Sequence, residues 1–399
     1  MSIPLHISRS GRYFTDLGGK PAFWLGDTQW ELFRCFTPDT AMPILRDRRA
    51  KGFNAILIML TGVDHGRLYP AHPQTYTNLN GDAPWEDNDP LRPNERYFRH
   101  VDRLIGLGEP TDHAFVVGIY HQWHRDIITP ANARAWARWV GQRYRDVPNL
   151  IWSMYPRAEE GFVPVCRELA AGLQEGDAGK HLISVHPDPA VASSSFLHSE
   201  PWLAFNMIQT CIDYEKIIPA VTADYRRIPV KPVVMAEGGY EGTEFDRVQT
   251  AYEIRKQAYW SQLAGGFHVY GHNDAWTAPE RAHEWLDSAG SRHLGLFCEI
   301  ITGLDAWWTM APDHAAVLGG AGQDGRLALG ASSADAGWHL IYISEPATVT
   351  LEPTVAACPR KTWIDPRTGD RIPATTRPGG SNTLTTPAEW EDALILAQH

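Results

Sequence analysis

Residues 232–239 read Pro-Val-Val-Met-Ala-Glu-Gly-Gly, a short apolar run that ends abruptly in a carboxylate and two glycines. An unbroken apolar run of this length suits a parallel strand buried on both faces. Seven other runs share the form: 22–26 (AFWLG), 54–60 (NAILIML), 115–120 (FVVGIY), 150–155 (LIWSMY), 181–185 (HLISV), 205–209 (FNMIQ) and 267–270 (FHVY). Amphipathic stretches lie between many of them. Residues 38–51 predict a helix after Thr37, with Ala41, Ile44 and Leu45 on one face. Residues 130–145 predict another, with Thr129 as cap and Pro130 at the first helical position. A third spans 247–263 with Asp246 as cap.

Eight strands alternating with helices over roughly 270 residues is the arithmetic of an α/β fold, a (β/α)8 TIM barrel. A doubly wound open sheet is the alternative. It usually carries a Gly-rich nucleotide turn after its first strand, whereas here that run leads into Asp27-Thr28. Beyond Trp308 the pattern changes. Short strand-like runs at 327–332, 338–344, 348–351, 361–365, 382–385 and 393–397 are broken by Gly, Pro and Asp turns. Spacing of about ten residues without helices reads as a small C-terminal antiparallel β-sandwich. The expected division is a barrel over residues 1–310 and a sandwich over 311–399, with the boundary between Ala306 and Leu318.

Composition narrows the function. The 399 residues are 43% hydrophobic and 21% charged, which excludes disorder and coiled coil. A net charge of −11 argues against nucleic acid and against acidic membrane surfaces as partners. No apolar run approaches the ~20 residues that span a bilayer. The start, MSIPLHISRSGRYF, lacks a basic segment followed by an apolar one, so a cytoplasmic location is expected. Five scattered cysteines, none in C-x-x-C spacing, argue against a disulfide framework and a cysteine zinc site. Sixteen Trp, 14 Tyr and 13 Phe either fill a large aromatic core or offer flat platforms for sugar rings.

In a TIM barrel the active site lies at the C-terminal ends of the strands. Carboxylates, imidazoles, amides and aromatics cluster immediately after the apolar runs. Asp27, Trp30, His121, Trp123, Tyr155, His186, Asp188, Gln209, Glu237, Tyr240 and His272 all fall there. That inventory suits carbohydrate: hydrogen bonds for hydroxyls, ring faces for sugars, two acids for glycosidic cleavage. Glu237 is the sharpest residue, either a nucleophile or acid/base, or a buried carboxylate tied to an arginine. Its neighbouring glycines would let a substrate approach closely. Asp27 either binds hydroxyls or supports neighbouring groups. His121-x-x-His124 invites a metal reading, but no His-x-His follows the first strand, so no metal or other cofactor is expected.

Several segments together resemble the apiosidase-like glycoside hydrolases, the barrel group long catalogued as domain of unknown function 4038 and allied to glycoside hydrolase family 140. Phe23-Trp24-Leu25-Gly26-Asp27-Thr28-Gln29-Trp30-Glu31-Leu32 resembles their opening strand. Arg48-x-x-Lys51-Gly52-Phe53-Asn54, Pro148-Asn149-Leu150-Ile151-Trp152 and Glu200-Pro201-Trp202-Leu203 are similar to later segments, and Trp363-Ile364-Asp365-Pro366 to the appended sandwich. The resemblance implies a retaining mechanism with two carboxylates and places the nucleophile at Glu237. It also implies an acid/base Asp after the fourth strand, where this chain has Arg157. Arginine is always charged and donates no proton at neutral pH. Glu159 is therefore the expected acid, with Glu160, Asp27 and Asp188 as alternatives. Tyr155-Pro156 stands where the group has Gly-Gly, which argues against apiose itself.

The sequence thus points to a retaining glycoside hydrolase, exo-acting on a plant or microbial oligosaccharide or glycoside, furanosides included. Asp27, Trp30, His121, Trp123, Tyr155, His186, Gln209, Tyr240 and His272 are its expected substrate-binding residues. The expected partner is a small carbohydrate. The competing reading is a non-catalytic carbohydrate-binding protein on a glycosidase-like barrel, kept open by Arg157.

Overall fold

The computed structural model describes residues 4–63, 76–158, 161–188, 191–244, 248–322, 327–375 and 382–399. Three two-residue strands open the chain: β1 (His6–Ile7), β2 (Phe14–Thr15) and β3 (Pro21–Ala22), paired antiparallel in the order β1-β2-β3. The barrel strands come next: β4 (Leu25–Thr28), β5 (Ala55–Met59), β6 (Ala114–His121), β7 (Leu150–Tyr155), β8 (Asn206–Cys211), β9 (Val233–Gly238) and β10 (Phe267–Tyr270). They form one parallel sheet in the order β7-β6-β5-β4-β10-β9-β8.

The expected strand at 181–185 is present only as a bridging segment between the two edges of that sheet. Trp152 N–H donates to Leu182 O at 2.8 Å, and Ser184 N–H to Trp152 O at 2.9 Å. Ala204 N–H donates to Ile183 O at 2.8 Å on the other side. The fold is therefore a TIM barrel whose fifth stave is held by a few bonds rather than a full ladder. The first stave also differs from expectation. It occupies Leu25–Thr28 rather than 22–26, because Ala22 pairs with Phe14 in the N-terminal sheet. Asp27 consequently lies inside a strand rather than beyond it.

Local sequence explains the helix boundaries. The helix Pro38–Ala50 begins where expected: Thr37 and Thr40 cap each other's backbone N–H groups at 2.9 and 3.3 Å, and Pro38 occupies the first turn. The second predicted helix starts later, at Ala133, because Asn132 Oδ1 accepts the Thr129 N–H at 2.8 Å and makes 129–132 a turn. The third is Ala251–Leu263, capped by Thr250 with Glu253 Oε2 accepting the Thr250 N–H at 3.0 Å. Asp246, its expected cap, lies outside the described residues.

After the helix Ala289–Thr302 the chain turns antiparallel. The strands are β11 (Ala311–Pro312), β12 (Val317–Gly319), β13 (Ala328–Ser333), β14 (Trp338–Ile343), β15 (Thr348–Leu351), β16 (Arg360–Ile364), β17 (Arg371–Pro373), β18 (Thr383–Thr385) and β19 (Ala393–Gln398). A six-stranded sheet, β11-β13-β14-β19-β16-β17, faces a three-stranded one, β12-β15-β18. This small sandwich is fastened to the barrel. Arg255 makes a two-toothed ion pair with buried Asp392, both bonds 2.7 Å, and Tyr259 stacks on Tyr342 at 4.7 Å. Trp338 Nε1–H also donates to Asp305 O at 2.8 Å. Among the described residues, no helix is long and apolar enough to cross a membrane.

Candidate active site

A cavity of about 180 Å³ opens at the C-terminal end of the barrel strands. Glu237 lines it from β9, His121 from β6, Tyr155 from β7 and Gln209 from β8. Trp30, Trp123 and Tyr240, on the loops after β4, β6 and β9, complete the residues expected from sequence. Two irregularities in strand pairing bring these groups level. A register shift after Ile208 sets Gln209 opposite Glu237, and one after Gly118 sets His121 opposite Tyr155. Such bulges re-aim side chains at barrel rims.

Glu237 is held by neutral groups. Tyr155 Oη donates to its Oε2 at 2.8 Å, and His186 Nε2 lies 3.3 Å from the same oxygen. Burial pushes the Glu237 carboxyl up to about 8; the hydroxyls of Tyr155 and Tyr240 pull it down, and the charge of Asp188 pushes it further up. Burial drops His186 to about 4. At neutral pH the imidazole is thus uncharged and Glu237 carries a proton, so the two do not form an ion pair. Glu237 remains 14% exposed, enough to face a ligand.

The glycines after Glu237 have a different purpose from the one expected. A Cβ on Gly238 would fall 1.9 Å from Gln257 Oε1. That oxygen accepts the Gly239 N–H at 2.9 Å, and Gln257 Nε2 donates back to Gly239 O at 3.3 Å. Gly238 admits the Gln257 side chain, which staples the strand end behind the carboxylate.

Around Glu237 stands an aromatic and amide wall. Trp30 Nε1–H donates to Tyr240 Oη at 2.8 Å, and the Trp30 ring stacks on Tyr155 at 5.7 Å. Trp30 is therefore covered on that face and acts as wall rather than open platform. Trp123 is only half-buried and stands edge-to-face against His121 at 4.9 Å. Gln209 is 2% exposed, and its Oε1 finds no hydrogen-bond partner among the described residues. A buried acceptor of this kind, lining a cavity, is suited to a ligand hydroxyl.

Two expected residues lie elsewhere. Asp27 is fully buried and does not line the cavity. Its Oδ2 accepts from Arg48 Nε and Gln29 Nε2, both at 2.7 Å. Arg48 is equally buried and donates onward to Leu286 O at 2.9 Å. The pair ties β4 to the helix Pro38–Ala50, so Asp27 is a staple rather than a hydroxyl ligand. His272 also stands outside the cavity lining. Its Nδ1 accepts the Asp274 N–H at 3.1 Å, and its ring stacks on Trp285 at 6.2 Å. His186 is brought to the site, but behind Glu237 and Tyr155, which it meets edge-on at 4.3 Å.

His121 and His124 cap one another's turn. His121 Nδ1 accepts the Trp123 N–H, and His124 Nδ1 accepts the His121 N–H, both at 3.2 Å. Burial drives His124 down to about 3 and His121 well below its usual range. Glu159 and Glu160 lie outside the described residues. The cavity also includes Val63, Gln122, Asp188 and Trp276. Asp188 and Trp276 come after apolar runs and are readable on that rule. Gln122 and Val63 offer no signal beyond adjacency to His121 and to β5. Asp188 is fixed on both sides: Gln122 Nε2 donates to its Oδ2, and its backbone bonds to Pro156 O and the Ala158 N–H at 3.0 and 2.9 Å.

Residues 8–309 match the apiosidase-like catalytic domain. No curated protein matches the sequence. Among solved structures, a glycoside hydrolase family 5 protein from Bacteroides vulgatus superposes with a TM-score of 0.85 at 19% identity, over 99% of this chain and 93% of that one. A second, described as a glycoside hydrolase, gives 0.82 at 20% identity over 99% and 96%. A third, described as a putative glycoside hydrolase from Bacteroides vulgatus, gives 0.72 at 15% identity over 99% and 82%. At these identities the superpositions speak for the fold, barrel and sandwich together.

Proposed function

The chain belongs to the apiosidase-like catalytic domains and is a glycoside hydrolase, and on that premise we propose that it removes single terminal sugars with retention of configuration. The observation that carries this reading is the cavity itself. At about 180 Å³ it is smaller than the ~300–1,000 Å³ of drug-sized sites and suits one sugar ring, with Glu237 at its wall. Gln209 Oε1 and the Trp123 ring would meet the hydroxyls and a face of that ring. The substrate class is a small plant or microbial glycoside or oligosaccharide, furanosides included, met in the cytoplasm.

In the first step Glu237 attacks the anomeric carbon while the bond to the leaving oxygen breaks. A second carboxyl group gives that oxygen its proton. In the second step the same group takes a proton from water, which attacks the glycosyl ester and frees Glu237. Glu159 is the residue expected from sequence in that second role. Asp188 is the stronger candidate, because it lines the same cavity and its charge is felt by Glu237. The two carboxyls repel each other's ionisation, which suits a pair that shares one proton. Chemistry needs that proton on Asp188. A sugar hydroxyl donating to Glu237 would favour its ionised form and so move the proton across.

The test is hydrolysis of a panel of aryl furanosides and pyranosides by wild type, E237Q, D188N and E159Q, with the product anomer read by NMR before mutarotation. The expected result is turnover with retention, lost in E237Q. D188N should keep activity on substrates with good leaving groups and lose it on poor ones, while E159Q stays near wild type. Sugar binding without turnover, unchanged by E237Q, would instead favour a carbohydrate-binding protein and give Arg157 its explanation.

A further inference from the structure

We propose that the C-terminal sandwich holds a divalent cation of zinc type between His339, Cys358 and His399. Each offers one donor atom, and these atoms all lie within 4.8 Å of one another. Cys358 Sγ is 3.4 Å from His399 Nε2. In a tetrahedral zinc site, with Zn–S about 2.3 Å and Zn–N about 2.0–2.1 Å, sulfur and nitrogen stand about 3.5 Å apart. That edge of the cluster already has ligand spacing.

The three residues sit on or beside adjacent strands, which is why they are held together. β14, β19 and β16 are neighbours in the six-stranded sheet. His339 pairs with Ala397, and Arg360 pairs with Gln398. Cys358 stands just before β16 and His399 just after β19, where the His399 N–H donates to Gly337 O at 3.0 Å. His339 and His399 are thus positioned by sheet hydrogen bonds, and Cys358 by the helical turn Pro353–Ala357, where its N–H donates to Val355 O at 3.2 Å. Asp313 Oδ2 lies 3.2 Å from His339 Nδ1. A carboxylate behind an imidazole orients the ring and makes its other nitrogen a better ligand.

The donor set narrows the ion. One sulfur and two imidazoles suit zinc and reject magnesium and calcium, which take oxygen. Cys358 is buried and His399 is exposed, so an ion can arrive from solvent on the His399 side. When the sulfur–metal bond forms, the Cys358 thiol gives its proton to solvent, and nothing is oxidised or reduced. Three protein ligands leave a fourth position for water. The spacing explains why no motif announced the site: 41 positions separate Cys358 from His399, and only strand pairing closes that distance.

The test uses the full metal-free chain, titrated with Zn²⁺ by calorimetry and with Co²⁺ by visible absorption. One equivalent should bind, proton release should accompany it, and a sulfur-to-cobalt charge-transfer band should appear. C358S should abolish the band. H399Q, an exposed change that leaves the core intact, should weaken binding by more than the ~10–100-fold that loss of an outer partner costs. Glycoside hydrolysis should be the same with and without the ion. Absence of binding tighter than millimolar would overturn the proposal, as would one equivalent bound without the band and undiminished in H399Q.

Discussion

Two buried carboxylates stand on strands of the same barrel, and they differ in what surrounds them. Asp27 on β4 meets a buried guanidinium, Arg48, at 2.7 Å. Glu237 on β9 meets a phenol at 2.8 Å and an uncharged imidazole at 3.3 Å. In sequence both come after an apolar run and both look functional. The difference is charge compensation. Asp27 has its countercharge, no exposure and no cavity, so its place is to hold the barrel together. Glu237 has no countercharge among the described residues, faces an opening and is burdened by burial, so its charge is available to a reaction.

Removing each carboxylate should break this symmetry in opposite ways. E237Q should lower kcat by at least ~10³-fold, as losses of nucleophiles do, with little change in sugar affinity. The check is steady-state hydrolysis alongside calorimetry of an unreactive analogue. D27N should leave Arg48 buried beside a neutral partner. Breaking such a pair costs ~3–5 kcal/mol, with the low end expected here because Asp47 Oδ1 also reaches Arg48 at 2.7 Å. Denaturant unfolding measures it, and the folded fraction should keep kcat/KM within a few-fold. A large KM increase in D27N with unchanged stability would return Asp27 to substrate binding.

The two carboxylates also show what the sequence could and could not tell. Buried parallel strands announce themselves by continuous apolar runs, so the barrel and the strand-end residues Glu237, Tyr155, Gln209 and His121 were legible. Side-chain direction was not. Asp27 differs from Glu237 through a partner 21 residues away, and the β4 boundary moved because Phe14 claims Ala22. Trp30 reads as an open ring face, yet Tyr155, from a strand more than a hundred residues on, covers it. The glycines after Glu237 read as freedom, yet Gly238 makes room for Gln257 from the next helix. Each miss is a contact made outside the apolar run itself, which periodicity and composition do not encode.

Stability against pH separates the pair further. A carboxyl raised from its usual value near 4.5 to about 8 favours the folded state while it is protonated. That contribution is fully present below about 4.5 and is lost as pH rises through about 8, at up to about 1.4 kcal/mol per pH unit. E237Q removes the titration. Wild type should therefore lose stability relative to E237Q between pH 5 and 8, roughly, and match it near pH 4. Unfolding curves for both proteins across that window are the check, and parallel pH dependences would mean that Glu237 is better solvated than its surroundings indicate.

The smallest effect tests how the neutral partners tune Glu237. The Tyr155 hydroxyl stabilises the charged carboxylate by donating to it, and burial opposes it. Y155F keeps the ring, and with it the stacking on Trp30 and the edge contact with His186, but removes the donor. Because Glu237 and Asp188 share one proton in this mechanism, the descending limb of kcat/KM against pH reports its loss and should move upward in Y155F, by up to about one unit for a hydrogen bond worth ~1.4 kcal/mol. Below that limb the proton is held more firmly on Glu237, which is roughly a tenfold loss of kcat/KM. A loss with no shift of that limb would mean the hydroxyl positions the carboxylate rather than tuning its charge. The same substitution should leave the D27N and wild-type unfolding difference untouched, since Asp27 is held by Arg48 and Gln29 while Tyr155 bonds to Glu237. Sensitivity to a neutral donor then belongs to the carboxylate without a countercharge, which is the property that distinguishes a reactive group from a staple on the same barrel.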